Sequence, residues 1–438
     1  MSDDADRRQS LSEVTHWRTA VAGLADMDAV ASPESWTAME SYLQRRVRSR
    51  LEGIVAQLDT EGRMLQKKLD GGADLTDIRR AVLELRRRYL QVETVLDFYG
   101  DAINSRTSPR LRDLLRGYDT LAGDSLAAIL GKLGIEPPLA LVYIDTGLGA
   151  AILRAGIRLW DAGHPSPAAA VKLTRHNFLF STSLFHETGH QVSHLTGWAP
   201  ELADALEECL TPRSRELAQV WAGWASEIAG DVHAFVQAGW APVLALSNVV
   251  DGPTEAVLRI RPGDPHPFAF ARVMLNVALC RRWFGDGPWD AVAAAWMHRH
   301  PLNRARGDGA DVARASMAAL EEIADVCTRH PMAAFRGAPL SALLDPRRVS
   351  PAALETFARQ AGPSLLTSSY LRRRESLRIL AILVTRTALD PARSPEHRTN
   401  MERWLVDLGN DAARTPTDAS TALLGTASDA FLSPARVA

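Results

Sequence analysis

Cysteine is scarce in this chain of 438 residues: Cys209, Cys280 and Cys327 are odd in number and far apart. They form no disulfide framework and no Cys-x-x-Cys pair, so neither a stapled scaffold nor a cysteine-bound metal is expected. Lysine is nearly missing as well, at four of the 50 basic residues, with arginine supplying the other 46. That imbalance reads as a coding bias rather than a phosphate-binding surface. Against 52 acidic residues it leaves a net charge of -2, so nothing global draws the chain to nucleic acid. No run of about 18 apolar residues occurs, and no membrane insertion is expected. The start, MSDDADRRQS, carries no apolar stretch of the kind a secretory signal needs. These absences together lead to the expectation of a cytoplasmic protein. What remains is ordinary globular material, 46% hydrophobic and 23% charged, sufficient for a large core or two to three domains.

Three segments are expected. Residues 1–136 read as a helical region whose first 35 or so are loosely ordered. Met39, Leu43, Val47, Leu51, Ile54 and Leu58 recur at three- and four-residue steps, as do Ile78, Val82, Leu85, Tyr89, Val92 and Leu96. Gly71-Gly72-Ala73-Asp74 separates the two stripes, and Ser108-Pro109 starts a third helix that Gly134 ends. The stripes are too short and irregular to specify a coiled-coil dimer, and the oligomeric state stays open. Residues 137–340 open with short apolar runs rich in β-branched residues, at 139–145, 150–160 and 168–175, which read as strands. Helical patterns follow at about 201–209, 213–240, 268–284, 288–298 and 310–328. Residues 341–438 continue as helices at 351–361, 364–388 and 399–409, with a poorly packed tail from Thr415. The fold class is α+β, mostly helical.

The chemistry is concentrated in LFHETGHQVSH, 184–194. His186 and His190 are four apart, hence on one face of a helix and about one turn from each other, so both imidazoles can meet one ion. Glu187 lies to one side, placed to hold a water without ligating the metal. Zinc suits such nitrogen and oxygen donors and, where it is catalytic, keeps one position open, so a third protein ligand is required. His194 sits two turns away, about 12 Å along the helix, and an unbroken helix cannot deliver it to the same ion. Glu207 and Glu208 have no acidic residue four positions on; Thr211 and Pro212 stand there. The stretch WASEIAGDVHAF, 224–235, offers Glu227 and Asp231 on one helix face. Glu227 would ligate the metal, while Asp231 would accept a hydrogen bond from the far nitrogen of a ligating histidine and fix its orientation. His233, two residues from Asp231, points elsewhere on that helix. His298 and His300 read as loop residues, and His176 precedes the motif helix.

With HETGH at 186–190 and EIAGD at 227–231, the chain resembles the gluzincins, zinc metallopeptidases with these two motifs on successive helices. The 36-residue linker is longer than in thermolysin-like members, and the likeness covers about 140–285. It implies a zincin-like core and a peptide or protein substrate, with an edge strand near 168–175 pairing to an extended peptide. GDPHPFAFAR holds His266 and Arg272 in an H-P-x-x-x-x-R arrangement similar to that of the Ste24/HtpX-type zinc peptidases. By that resemblance His266 donates to the developing oxyanion, and Arg272 orients a substrate carbonyl or braces a helix. Those relatives are membrane-embedded, so their lipidated substrates do not carry over. The expected activity is peptide hydrolysis with Zn2+ at His186, His190 and Glu227 and with Glu187 as general base and acid. The alternative is a non-catalytic scaffold on the same fold acting through its helical flanks, against which Glu187 argues, since a structural metal site does not need it.

Overall fold

The apolar stripes of the sequence become long helices. The computed structural model describes residues 2–39, 41–144, 169–173, 181–261, 263–306 and 309–413. Its described residues are mostly helical, with two small two-stranded sheets. The strand expected at 150–160, His176 and the tail from Thr415 lie outside the described residues.

The chain divides into two compact units. The first is built on α1 (Ser2–Gly23), α2 (Ser41–Asp70) and α3 (Leu75–Asn104), each of which packs on the other two. The break between α2 and α3 follows from the residues there: Gly72 takes a positive φ of 74°, and the Asp74 side chain accepts from the Thr76 and Asp77 amides to cap α3. The loosely ordered start expected for the first residues is corrected: α1 begins at Ser2, and Val14 and Val21 on it are fully buried. These two residues lie seven apart and so share a face, but the acidic and basic residues around them obscure the stripe.

α4 (Pro109–Leu130) opens directly after Ser108, and the chain turns at Gly134, whose φ is 64°. The second unit comprises Gly117–Val142 and Val171–Asp411. Strands β1 (Ala140–Ile144) and β2 (Ala169–Leu173) pair with each other, and β2 alternates between buried and half-buried residues. Then come α5 (Ser183–Thr196), α6 (Trp198–Leu210), α7 (Arg215–Gly223), α8 (Ala225–Ala238) and α9 (Ala241–Val249). α10 (Ala269–Phe284), α11 (Pro288–Arg299) and α12 (Gly309–Arg329) follow. A minimal antiparallel ladder pairs β3 (Pro331–Met332) with β4 (Ala338–Pro339). The last helices of the described residues are α13 (Pro351–Ala361), α14 (Ser369–Leu389) and α15 (Ser394–Ala413). No helix among the described residues is long and apolar enough to cross a membrane.

α8 is the axis of the second unit. Every residue from Ile228 to Ala238 is buried, and the helix packs against α5, α6, α9, α10 and α14. The single helix expected over 213–240 is in fact two, broken at Trp224, which packs against Trp221 and Phe268 at ring-centroid distances of 5.5 and 5.8 Å. Gly223 before it has the weak helix propensity that tolerates such a break. The consequence is functional: Glu227 lies in the first turn of a helix, where the N-terminal end of the dipole favours its negative charge.

Candidate metal centre

Helices α5 and α8 approach closely because glycine stands at their contact. A Cβ on Gly189 would lie 2.9 Å from the Gly230 Cα and 2.8 Å from the His233 Cβ. A Cβ on Gly230 would lie 2.6 Å from His186 Nδ1. Both glycines fall inside the motifs, and only a residue without a side chain leaves room for the histidine rings between the two helices.

Into that space the structure brings His186, His190 and Glu227, whose nearest donor atoms all lie within 4.8 Å of one another. His186 Nε2 and His190 Nε2 are 3.0 Å apart, with the rings edge to face. Glu227 reaches His186 Nε2 with one carboxylate oxygen and His190 Nε2 with the other, each at 3.4 Å. Two donors about 2.0–2.1 Å from a tetrahedral zinc stand roughly 3.3 Å apart, so the residues present fit the ion. Glu187, on the same helix as both histidines, is half-buried.

A second layer holds the first. Asp231 Oδ1 lies 2.9 Å from His186 Nδ1, which leaves Nε2 of that ring facing His190 and Glu227. Arg272, from the first turn of α10, clamps Asp231 in fork geometry, Nε to Oδ2 at 2.7 Å and Nη2 to Oδ1 at 2.8 Å. Its Nη2 is also 3.2 Å from Glu227 and 3.3 Å from both His186 ring nitrogens. Arg272 therefore sits beneath the histidines, its side chain 11% exposed, bracing α8 against α10. His266 lies at the rim, 59% exposed, with Nδ1 held by Asp264 at 2.8 Å and Nε2 3.5 Å from Glu227.

The electrostatics follow from burial opposed by partners. Burial alone would favour neutral Asp231 and Glu227, but Arg272 and the histidines outweigh it. Asp231 falls to about 2, and Glu227 is held well below the usual carboxylate range. Burial also works against a charged His186, and the bonds to Asp231 and Glu227 overcome it, lifting the metal-free imidazole to about 9.

Residues that sequence reasoning set aside form a support behind the site. Ser125 of α4 donates to Gln237 Oε1 at 2.7 Å. The Gln237 amide donates to the Ser125 carbonyl at 3.1 Å and to His233 Nε2 at 3.0 Å. His233 Nδ1 is thereby left to donate to the Phe185 carbonyl at 2.8 Å, one residue before His186. Burial keeps His233 neutral, lowering it to about 4. The available signal was His233 and Gln237, four apart on a helix otherwise apolar beyond Asp231. The remaining candidates stand apart. His194, Glu207, Glu208 and His298 are exposed, and His300 is buried with Asp251 at 2.9 Å and Thr254 at 3.3 Å. Among known proteins no family model, no curated protein and no solved structure matches the chain.

Proposed function

We propose that the chain is a zinc-dependent metallopeptidase of the gluzincin type, with a zincin-like core built around α5 and α8. The observation that carries this reading is the meeting of His186, His190 and Glu227 in a half-buried site, with Glu187 beside them on α5. These three residues would hold the ion. When bound, zinc supplies Lewis acidity to a peptide carbonyl and to water. Glu187 takes the proton of the attacking water and passes it to the leaving amine. His266, tethered by Asp264, is the rim residue suited to donate to the developing oxyanion. Asp231 orients His186, and Arg272 acts as a positioning residue through Asp231 and Glu227. The substrate is a peptide or protein.

Glu187→Gln tests the reading. The variant should keep its zinc and lose turnover on a peptide library by about 10²-fold or more. Full hydrolysis by Glu187→Gln, or hydrolysis by the wild type that a chelator leaves untouched, would overturn it.

A further inference from the structure

A second concave site lies within the second unit, on the side of α8 that carries Val236 and Gln237. It is a cavity of about 510 Å³. Its walls come from the end of α4, the short helix Pro346–Val349 and α14. Five cations line it: Lys132, Arg348, Arg373, Arg374 and Arg378. Lys132 is one of only four lysines in the chain.

The backbone explains the convergence. Residues 373–378 all line the cavity, six in succession. A regular helix turns by about 100° per residue and cannot present six consecutive side chains to one space. Glu375 leaves helical geometry, at φ −131° and ψ 23°, and this interruption of α14 folds the run around the hollow.

The acids present offset only part of the positive charge: Asp124, Asp345 and Glu375 stand against the five cations. Glu375 is shared between Arg378 at 3.3 Å and Arg348 at 3.7 Å. Asp345 caps the Arg347 amide and faces the Arg347 guanidinium. Asp124 is occupied by the Ser376 hydroxyl. Arg378 Nε is buried with no acceptor. Burial and, after it, the neighbouring Arg348 lower Lys132, whose ammonium spends one of its three donors on the Leu343 carbonyl. Gln237 offers nothing to a ligand, because both amide hydrogens are spent on Ser125 and His233. The rest of the wall is apolar, with Ala127, Ala128, Leu344 and Val349.

We infer that this cavity binds a small amphipathic anion, with a phosphate or carboxylate head held by Arg373, Arg374 and Lys132 and an apolar body against the alanines and Val349. Its volume lies in the range of small-molecule sites, and guanidinium groups match both heads in bidentate geometry.

The test is calorimetric titration of the full-length protein with phenyl phosphate, benzoate and inorganic phosphate. Saturable binding of one equivalent of an aromatic anion is expected, with inorganic phosphate weaker, and the tighter aromatic probe identifies the head group. The double variant Arg373→Ala/Arg374→Ala, which changes two exposed side chains, should weaken binding about tenfold or more. Arg45→Ala/Arg46→Ala, an equal loss of charge in the first unit, should leave it unchanged. Ala128→Trp, which fills the hollow and keeps every charge, should abolish aromatic binding. No saturable binding of any probe, or equal weakening in both arginine variants, overturns the inference.

Discussion

At His186 a proton and a metal compete for the same nitrogen. The free imidazole, lifted to about 9 by Asp231 and Glu227 against the cost of burial, is charged at neutral pH. A folded-state value above the ordinary one of about 6.5 means that the proton stabilises the metal-free fold, and that this contribution is lost as pH rises through about 9. Zinc needs the neutral ring, so its affinity should climb from pH 6 to pH 8 and level off above about 9. Its binding near neutrality should release a proton. Calorimetry in buffers of different ionisation enthalpy measures both quantities, and a pH-independent affinity would count against the role given to His186. The first motif was legible in the sequence because its spacing is local, one turn of one helix. Glu227 was legible only as one of several acids, since nothing local says which distant carboxylate comes back to the histidines. The fork between Arg272 and Asp231 spans 41 residues, and spacing alone left open whether Arg272 faced substrate or a helix.

At the scale of elements, the site depends on how closely α5 and α8 can approach. Gly230→Ala would put a methyl group 2.6 Å from His186 Nδ1. The ring must turn or the helices part, at a cost of about 1–3 kcal/mol, and zinc should be lost with the geometry. Gly123→Ala on α4, where the added methyl meets open space, should leave zinc content unchanged. Equal behaviour of the two variants would remove the steric argument. Helix periodicity made most elements readable, because burial on one face writes a repeat into the residues. It did not reveal the break at Trp224, since the apolar pattern runs on across it, nor the one at Glu375. β3 and β4, two residues each, are too short for any alternation to register.

For the whole molecule, the α+β, mostly helical class was readable from composition and period, while the division into two units depends on contacts between distant segments. Zinc, if it binds the folded chain and not the unfolded one, must raise the melting temperature by mass action. At a free concentration of about 100 times Kd the gain is roughly 2.7 kcal/mol. Chelation should therefore lower the melting temperature of the wild type and leave that of Glu227→Ala where it is. A wild type indifferent to chelator in calorimetric scans would speak against a bound ion.

The most direct measurement is elemental analysis of the purified wild type beside Glu227→Ala after equal exposure to zinc and removal of the excess. Stoichiometric zinc in the wild type and a large loss in the variant is the predicted result. Equal zinc in the two proteins, or none in the wild type, would contradict a centre formed by His186, His190 and Glu227.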